Sequence, residues 1–211
     1  MSIIAEMNQQ LQAGKAKIVK GLVTQALEEG FDPKVILNEG LLGGMMVIGE
    51  KFKNNEVFVP EVLVAARAMN AGLVILEPKL IEVGNEPVGK AVIGTVKGDL
   101  HDIGKNLVAM MLKGAGFEVH DLGVDVDADT YITEAQACGA TVICMSALLT
   151  TTMPYMSDVI KALEEKGIRD QFTVMIGGAP INDRYAEQIG ADCYTPDAAS
   201  CAEKAKELVT A

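Results

Sequence analysis

The spacing of apolar residues changes period once along the chain. In the first third it follows helices. The stretch AKIVKGLVTQALEEG carries Ile18, Leu22, Val23, Ala26 and Leu27 on one helical face, and Gly30 stands where a helix C-terminal glycine belongs. Asp32-Pro33 reads as an N-cap followed by a first helical residue. A third long helix is predicted over VPEVLVAARAMNAGLVILEP, with Pro60 near its start and a break or kink at Pro78. With a short N-terminal helix this makes a bundle of roughly four helices. The second long helix holds Gly40, Gly43, Gly44 and Gly49 in EGLLGGMMVIGEKF. Each interior glycine costs about 1 kcal/mol against alanine. That helix is therefore expected to split in two or to need a close backbone approach.

Beyond EVGNEPVG the apolar runs become short and β-rich: KAVIGTV, FEVHDLGV, TVICMSAL, FTVMIGGA and ADCYTP. Each is followed by a helical stretch, and five strands alternating with five helices imply a doubly wound parallel sheet with continuous aliphatic strands. The predicted architecture is α/β: a helical bundle over 1–84, a linker at 85–89, and a Rossmann-like, flavodoxin-like domain over 90–211 with strand order 2-1-3-4-5. A ligand crevice then lies outside the carboxyl ends of strands 1 and 3, between GDLHDIG and SALLTTT.

Composition narrows the ligand. The 211 residues carry a net charge of −11 and no basic cluster, which argues against nucleic acid. The apolar runs are shorter than a membrane span and the N-terminus lacks a signal-peptide pattern, so a cytoplasmic protein is expected. Cys138, Cys144, Cys193 and Cys201 form no C-x-x-C pair and read as core residues. His120, inside strand 2, reads as structural. A dinucleotide is disfavoured because Gly98 and Gly104 do not make G-x-G-x-x-G. A phosphorylated receiver is disfavoured because Ser146 stands where its acceptor aspartate belongs. His101 can bind a metal through one ring nitrogen while Asp99 holds the other. One histidine cannot cage a bare zinc ion, but it suffices for a metal that brings its other ligands, as in a tetrapyrrole.

These residues carry a family resemblance. DLHDIG resembles the D-x-H-x-x-G signature of cobalamin-binding modules, SALLT their S-x-L-x-T segment, and GGAP their double glycine. GEKFKNNEVFVPEV resembles the helical cap of methionine synthase and of corrinoid proteins in methyltransferase systems. The resemblance, spanning about residues 10 to 205, implies a cobalamin or other corrinoid cofactor with His101 as lower cobalt ligand. It implies Asp99 as hydrogen-bond partner of His101, with Thr152 as third member of the relay at a position where methionine synthase has serine. Asp102 and Gly104 complete the motif. Ser146, Leu148 and Thr150 would contact the displaced base, and Gly177 and Gly178 would let the nucleotide tail pass. Tyr194, with Thr195 and Asp197, would line its ribose or phosphate end. Phe52, Val59 and Val62 would form an apolar lid over the upper corrin face, with the cap glycines, Met45 and Met46 packing close to the macrocycle.

The implied role is a cofactor-bearing subunit in one-carbon metabolism. It would carry a methyl group on cobalt from a substrate-specific methyltransferase to a second methyltransferase acting on a folate or thiol, with a reductive activator as a further partner. A cobalamin-binding sensor and a mutase subunit are the alternatives. The first would want a DNA-binding segment and a bulkier aromatic cap, the second a substrate barrel.

Overall fold

The computed structural model describes residues 2–210. The chain divides into two compact units, one running to Glu86 and the other starting at Pro87.

The first unit is helical. Its elements are α1 (Ile3–Gln12), α2 (Ala16–Glu28), α3 (Pro33–Val35), a π-helical stretch (Ile36–Leu42), α4 (Gly43–Lys53) and α5 (Val59–Glu82). Residues 33–53 run without interruption, so the glycine-rich helix does not split; it changes to π-helical geometry over Ile36–Leu42. Its glycines serve close approach to α1. A Cβ on Gly40 would lie 2.6 Å from Met7 Sδ, and one on Gly44 3.1 Å from Leu11 Cδ2 and 3.2 Å from the Asn8 carbonyl oxygen. Met45 is buried and Met46 exposed. Gly40, Gly44 and Met45 thus pack inside the helical unit, while Met46 keeps exposed surface.

Helix α5 is long and apolar enough to cross a membrane by composition. Within this unit it lies against α2, with Val62, Ala65, Ala66, Met69, Gly72 and Leu76 buried. It also runs through Pro78 to Glu82, where a break or kink was expected. A proline this near the end removes only the bond to the Val74 carbonyl, and Val74 is exposed, so water can replace the missing donor.

The second unit is a five-stranded, all-parallel sheet in the order β2-β1-β3-β4-β5. Its elements are β1 (Lys90–Val96), α6 (Ile103–Gly114), β2 (Glu118–Val126), α7 (Ala128–Cys138), β3 (Val142–Ser146), α8 (Pro154–Glu165), β4 (Thr173–Gly177), α9 (Asp183–Ile189), β5 (Cys193–Tyr194) and α10 (Ala198–Thr210). Strand side chains alternate between faces. Val92, Val96, Ile143, Met145, Val174 and Ile176 meet Tyr131, Ile132, Met156, Val159 and Ile160 of α7 and α8. Helices α6 and α10 pack together on the other face.

The order reverses between β1 and β3, which opens their exit loops toward one another. Thr95, Ser146 and Gly177 stand in one register row at the carboxyl ends of β1, β3 and β4. Beyond that row Gly178 has φ +132°, and a Cβ there would fall 1.9 Å from the Ala147 carbonyl oxygen. The β3 and β4 exits touch through bare backbone, so this position admits only glycine. Gly178→Ala should lower stability by about 3 kcal/mol, measured by urea denaturation. A variant with an unchanged midpoint would show that the two exits can separate freely.

Candidate functional site

The turn after β1 is built around a buried carboxylate. Asp99 has no exposed side-chain surface. Its Oδ1 accepts the His101 amide at 3.0 Å and lies 2.9 Å from His101 Nδ1. Its Oδ2 accepts the Thr152 hydroxyl at 2.7 Å, the Leu148 amide at 2.8 Å and the Leu149 amide at 3.4 Å. One carboxylate thus ties the β1 exit to the β3 exit across roughly fifty residues of sequence. Burial alone pushes the Asp99 carboxyl up. The His101 amide, the Thr152 hydroxyl, the Leu148 amide and the His101 ring outweigh it, holding the group far below the usual carboxylate range.

An ionised Asp99 accepts and cannot donate, which assigns the imidazole proton to Nδ1. Nε2 then carries a lone pair. His101 remains about half exposed, and no other described residue hydrogen-bonds to its ring. This is the arrangement of a metal-binding imidazole whose tautomer is fixed by a carboxylate behind it. Among the described residues no three His, Cys, Asp or Glu side chains group closely enough to cage an ion. A metal at His101 must therefore arrive with most of its own ligands.

The turn and the facing loop both expose aliphatic side chains. Leu100 is 68% exposed and Ile103 75%, and Leu148 and Leu149 are exposed on the facing loop. Four exposed aliphatic side chains on the two segments that Asp99 joins suit a flat, largely apolar macrocycle better than water. Gly104, second in α6, has no protein atom within 4 Å of an added Cβ, and at Gly177 the nearest is 3.9 Å away. Nothing inside the chain requires these two positions to lack side chains. The cradle fits a corrinoid.

The remaining candidate residues fall into three groups. Ser146 is half-buried at the end of β3, and Thr150 is exposed in the loop beyond. Three have intramolecular tasks. Asp102 accepts the Asn106 side-chain amide at 3.0 Å at the start of α6. Tyr194 packs on the hydrophobic core from β5. Asp197 caps α10, accepting the Ser200 amide at 2.9 Å and its hydroxyl at 2.7 Å. In the helical unit, Phe52 and Val59 are half-buried and Val62 is fully buried, so only the first two keep accessible surface. His120 lies 2.8 Å from Glu118 through Nε2 on the exposed part of β2.

The sequence reading passed over Leu100, Ile103 and Leu149 as site residues. For Leu100 and Ile103 the signal is present in DLHDI, whose two aliphatic residues stand exposed in the turn and at the start of α6.

Two family models match the chain, both described as a B12 binding domain, one over residues 89–203 and the other over 3–77. A corrinoid protein of Desulfitobacterium hafniense is 41% identical over 99% of this chain and 98% of its own. Dimethylamine corrinoid protein 1 of Methanosarcina acetivorans is 43% identical over 97% of this chain and 98% of its own. In solved structures, the methanol:cobalamin methyltransferase complex MtaBC of Methanosarcina barkeri contains a chain that superposes with a TM-score of 0.88 at 28% identity. That match covers 99% of this chain and 80% of the other.

Replacing Asp99 tests the turn. Asp99→Asn puts donors opposite donors and should cost about 2 kcal/mol at neutral pH. Because the folded carboxyl is held below its unfolded value, its contribution is fully present above about pH 4 and is lost as pH falls further. The gap between wild type and variant should therefore be constant above about pH 5 and narrow in acid. Chemical denaturation at a series of pH values reads it. A gap that widens in acid would contradict the assigned charge state.

Proposed function

Because the chain belongs to the family of B12-binding corrinoid proteins, we propose that it carries a methyl group between methyltransferases, with His101 as the protein ligand to cobalt. The observation that carries this reading is the half-exposed His101 ring, its Nδ1 held by the ionised Asp99 and its Nε2 left free. When bound, the corrinoid supplies a cobalt centre able to take up and give away a methyl group.

The protein's own residues set the conditions for that exchange. Asp99 keeps the ring in one tautomer, so Nε2 presents its lone pair to a Lewis acid. Thr152 and the amides of Leu148 and Leu149 in turn keep Asp99 ionised. Leu100, Ile103, Leu148 and Leu149 would exclude water around the ligand, and Gly104 and Gly177 would admit it closely.

The chain's partners in this reading are a substrate-specific methyltransferase that would deliver the group, a second methyltransferase that would remove it, and a reductive activator. The amine-linked relative at 43% identity favours a methylated amine as donor over methanol, whose complex is related at 28%.

The decisive measurement is the EPR spectrum of the chain loaded with cob(II)alamin, prepared with 14N- and 15N-histidine. Triplet splitting that becomes doublet on labelling, and that disappears in His101→Ala, is the expected result. Splitting indifferent to the label would leave the cofactor's own base on cobalt, and a chain that binds no corrinoid would end the reading.

A further inference from the structure

We propose that two carboxylates of β2, Asp125 and Asp121, are positioning residues that bracket the histidine turn and set where His101 presents its free nitrogen. The inference rests on the cobalt-ligand reading of His101.

Asp125 holds the front of the turn. It adopts φ 57°, a left-handed conformation uncommon for a residue with a side chain. In that conformation its Oδ1 accepts the Gly98 amide at 2.6 Å. Its own amide is shared between the Asp99 carbonyl oxygen and the Thr95 hydroxyl, each at 3.0 Å. Thr95 is fully buried and its hydroxyl donates to the same Asp99 carbonyl at 2.5 Å. The backbone on both sides of the Gly98–Asp99 peptide is therefore pinned to β2. Glycine would adopt this φ at lower cost, but glycine has no oxygen to offer the Gly98 amide. A strained residue that persists with a short hydrogen bond points to a task at that spot.

Asp121 holds the rear. Lys105, in the first turn of α6, is only 3% exposed, and its Nζ lies 2.6 Å from both Asp121 carboxylate oxygens. Asp121 Oδ1 also accepts the Gly123 amide at 2.9 Å, where Gly123 has φ 85°. Between the two acids the register of β2 against β1 slips twice, from Ile93↔Asp121 to Gly94↔Gly123 and then to Val96↔Val126. Such bulges re-aim side chains. The lysine is buried while Asp121 keeps solvent contact, and the pair holds the start of α6 against β2. His101 thus sits midway in a segment whose two ends, Gly98 and Lys105, are bound to one strand.

The test uses the full chain with Asp125→Asn, Asp125→Gly, Asp125→Ala and Asp121→Asn. Each is loaded with cob(II)alamin and 14N- or 15N-histidine, and the fraction of cobalt with label-sensitive splitting is read by EPR. Losing the Gly98 acceptor should lower the ratio of histidine-ligated to unligated cobalt about fivefold in the Ala and Gly variants. Asp125→Asn keeps an acceptor oxygen and tolerates the left-handed backbone, so it should restore the wild-type ratio. Asp121→Asn should lower the ratio as well.

Amide hydrogen exchange of the cofactor-free chain supplies a readout independent of corrinoid. Gly98 and His101 should exchange faster in Asp125→Gly than in wild type. Unchanged exchange and an unchanged ratio in Asp125→Gly would overturn the positioning role while leaving His101 on cobalt. A deficit in Asp125→Ala that Asp125→Gly lacks would trace the effect to backbone strain and also overturn it. A wild type without label-sensitive splitting is a separate outcome that removes the cobalt-ligand reading, and the positioning role with it. Should the alanine variant not fold, the Asn and Gly pair decides alone.

Discussion

A carboxylate without solvent contact has to be surrounded by donors, and Asp99 is. The charge removed from water is matched by two loop amides, a threonine hydroxyl, an amide of its own turn and an imidazole. The donors come from two loops that the parallel sheet brings together only because its strand order reverses between β1 and β3. The chemistry of His101 therefore depends on a topological fact. Without adjacent exits there would be no Leu148 amide and no Thr152 hydroxyl to keep Asp99 ionised, and without an ionised Asp99 the imidazole tautomer would be undetermined.

Glycine does two different kinds of work around that centre. At Gly178 its absence of a side chain satisfies the chain itself, because the Ala147 carbonyl occupies the space a Cβ would need. At Gly104 and Gly177 the surrounding space is open, and no packing inside the polypeptide calls for glycine. In the helical unit Gly40 and Gly44 belong with the first kind, allowing α1 to approach Met7-side and Leu11-side against backbone.

Much of this was legible in the sequence because side-chain identity records it. The switch from a helical to a strand period announced two units, and five β-rich runs alternating with helices produced the sheet order that the structure has. Asp99 and His101 could be named from their side-chain chemistry, and Thr152 from the family resemblance. The amides of Leu148 and Leu149 could not, since any residue supplies an amide. At Pro78 the helix does not break, because a proline this near the end costs a single bond, the one to the Val74 carbonyl. The strand β2 extends past the run FEVHDLGV through Val126 because bulges carry it around Gly123 and Asp125, and no periodic pattern survives a bulge.

The histidine turn is closed by bonds within the polypeptide: carboxylate to amide, hydroxyl to carboxylate, lysine to aspartate. The ring is thus held from β2 on one side and from the β3 exit on the other. A substitution at the end of either strand, several residues from the turn, would therefore be felt at the imidazole as a change of aim.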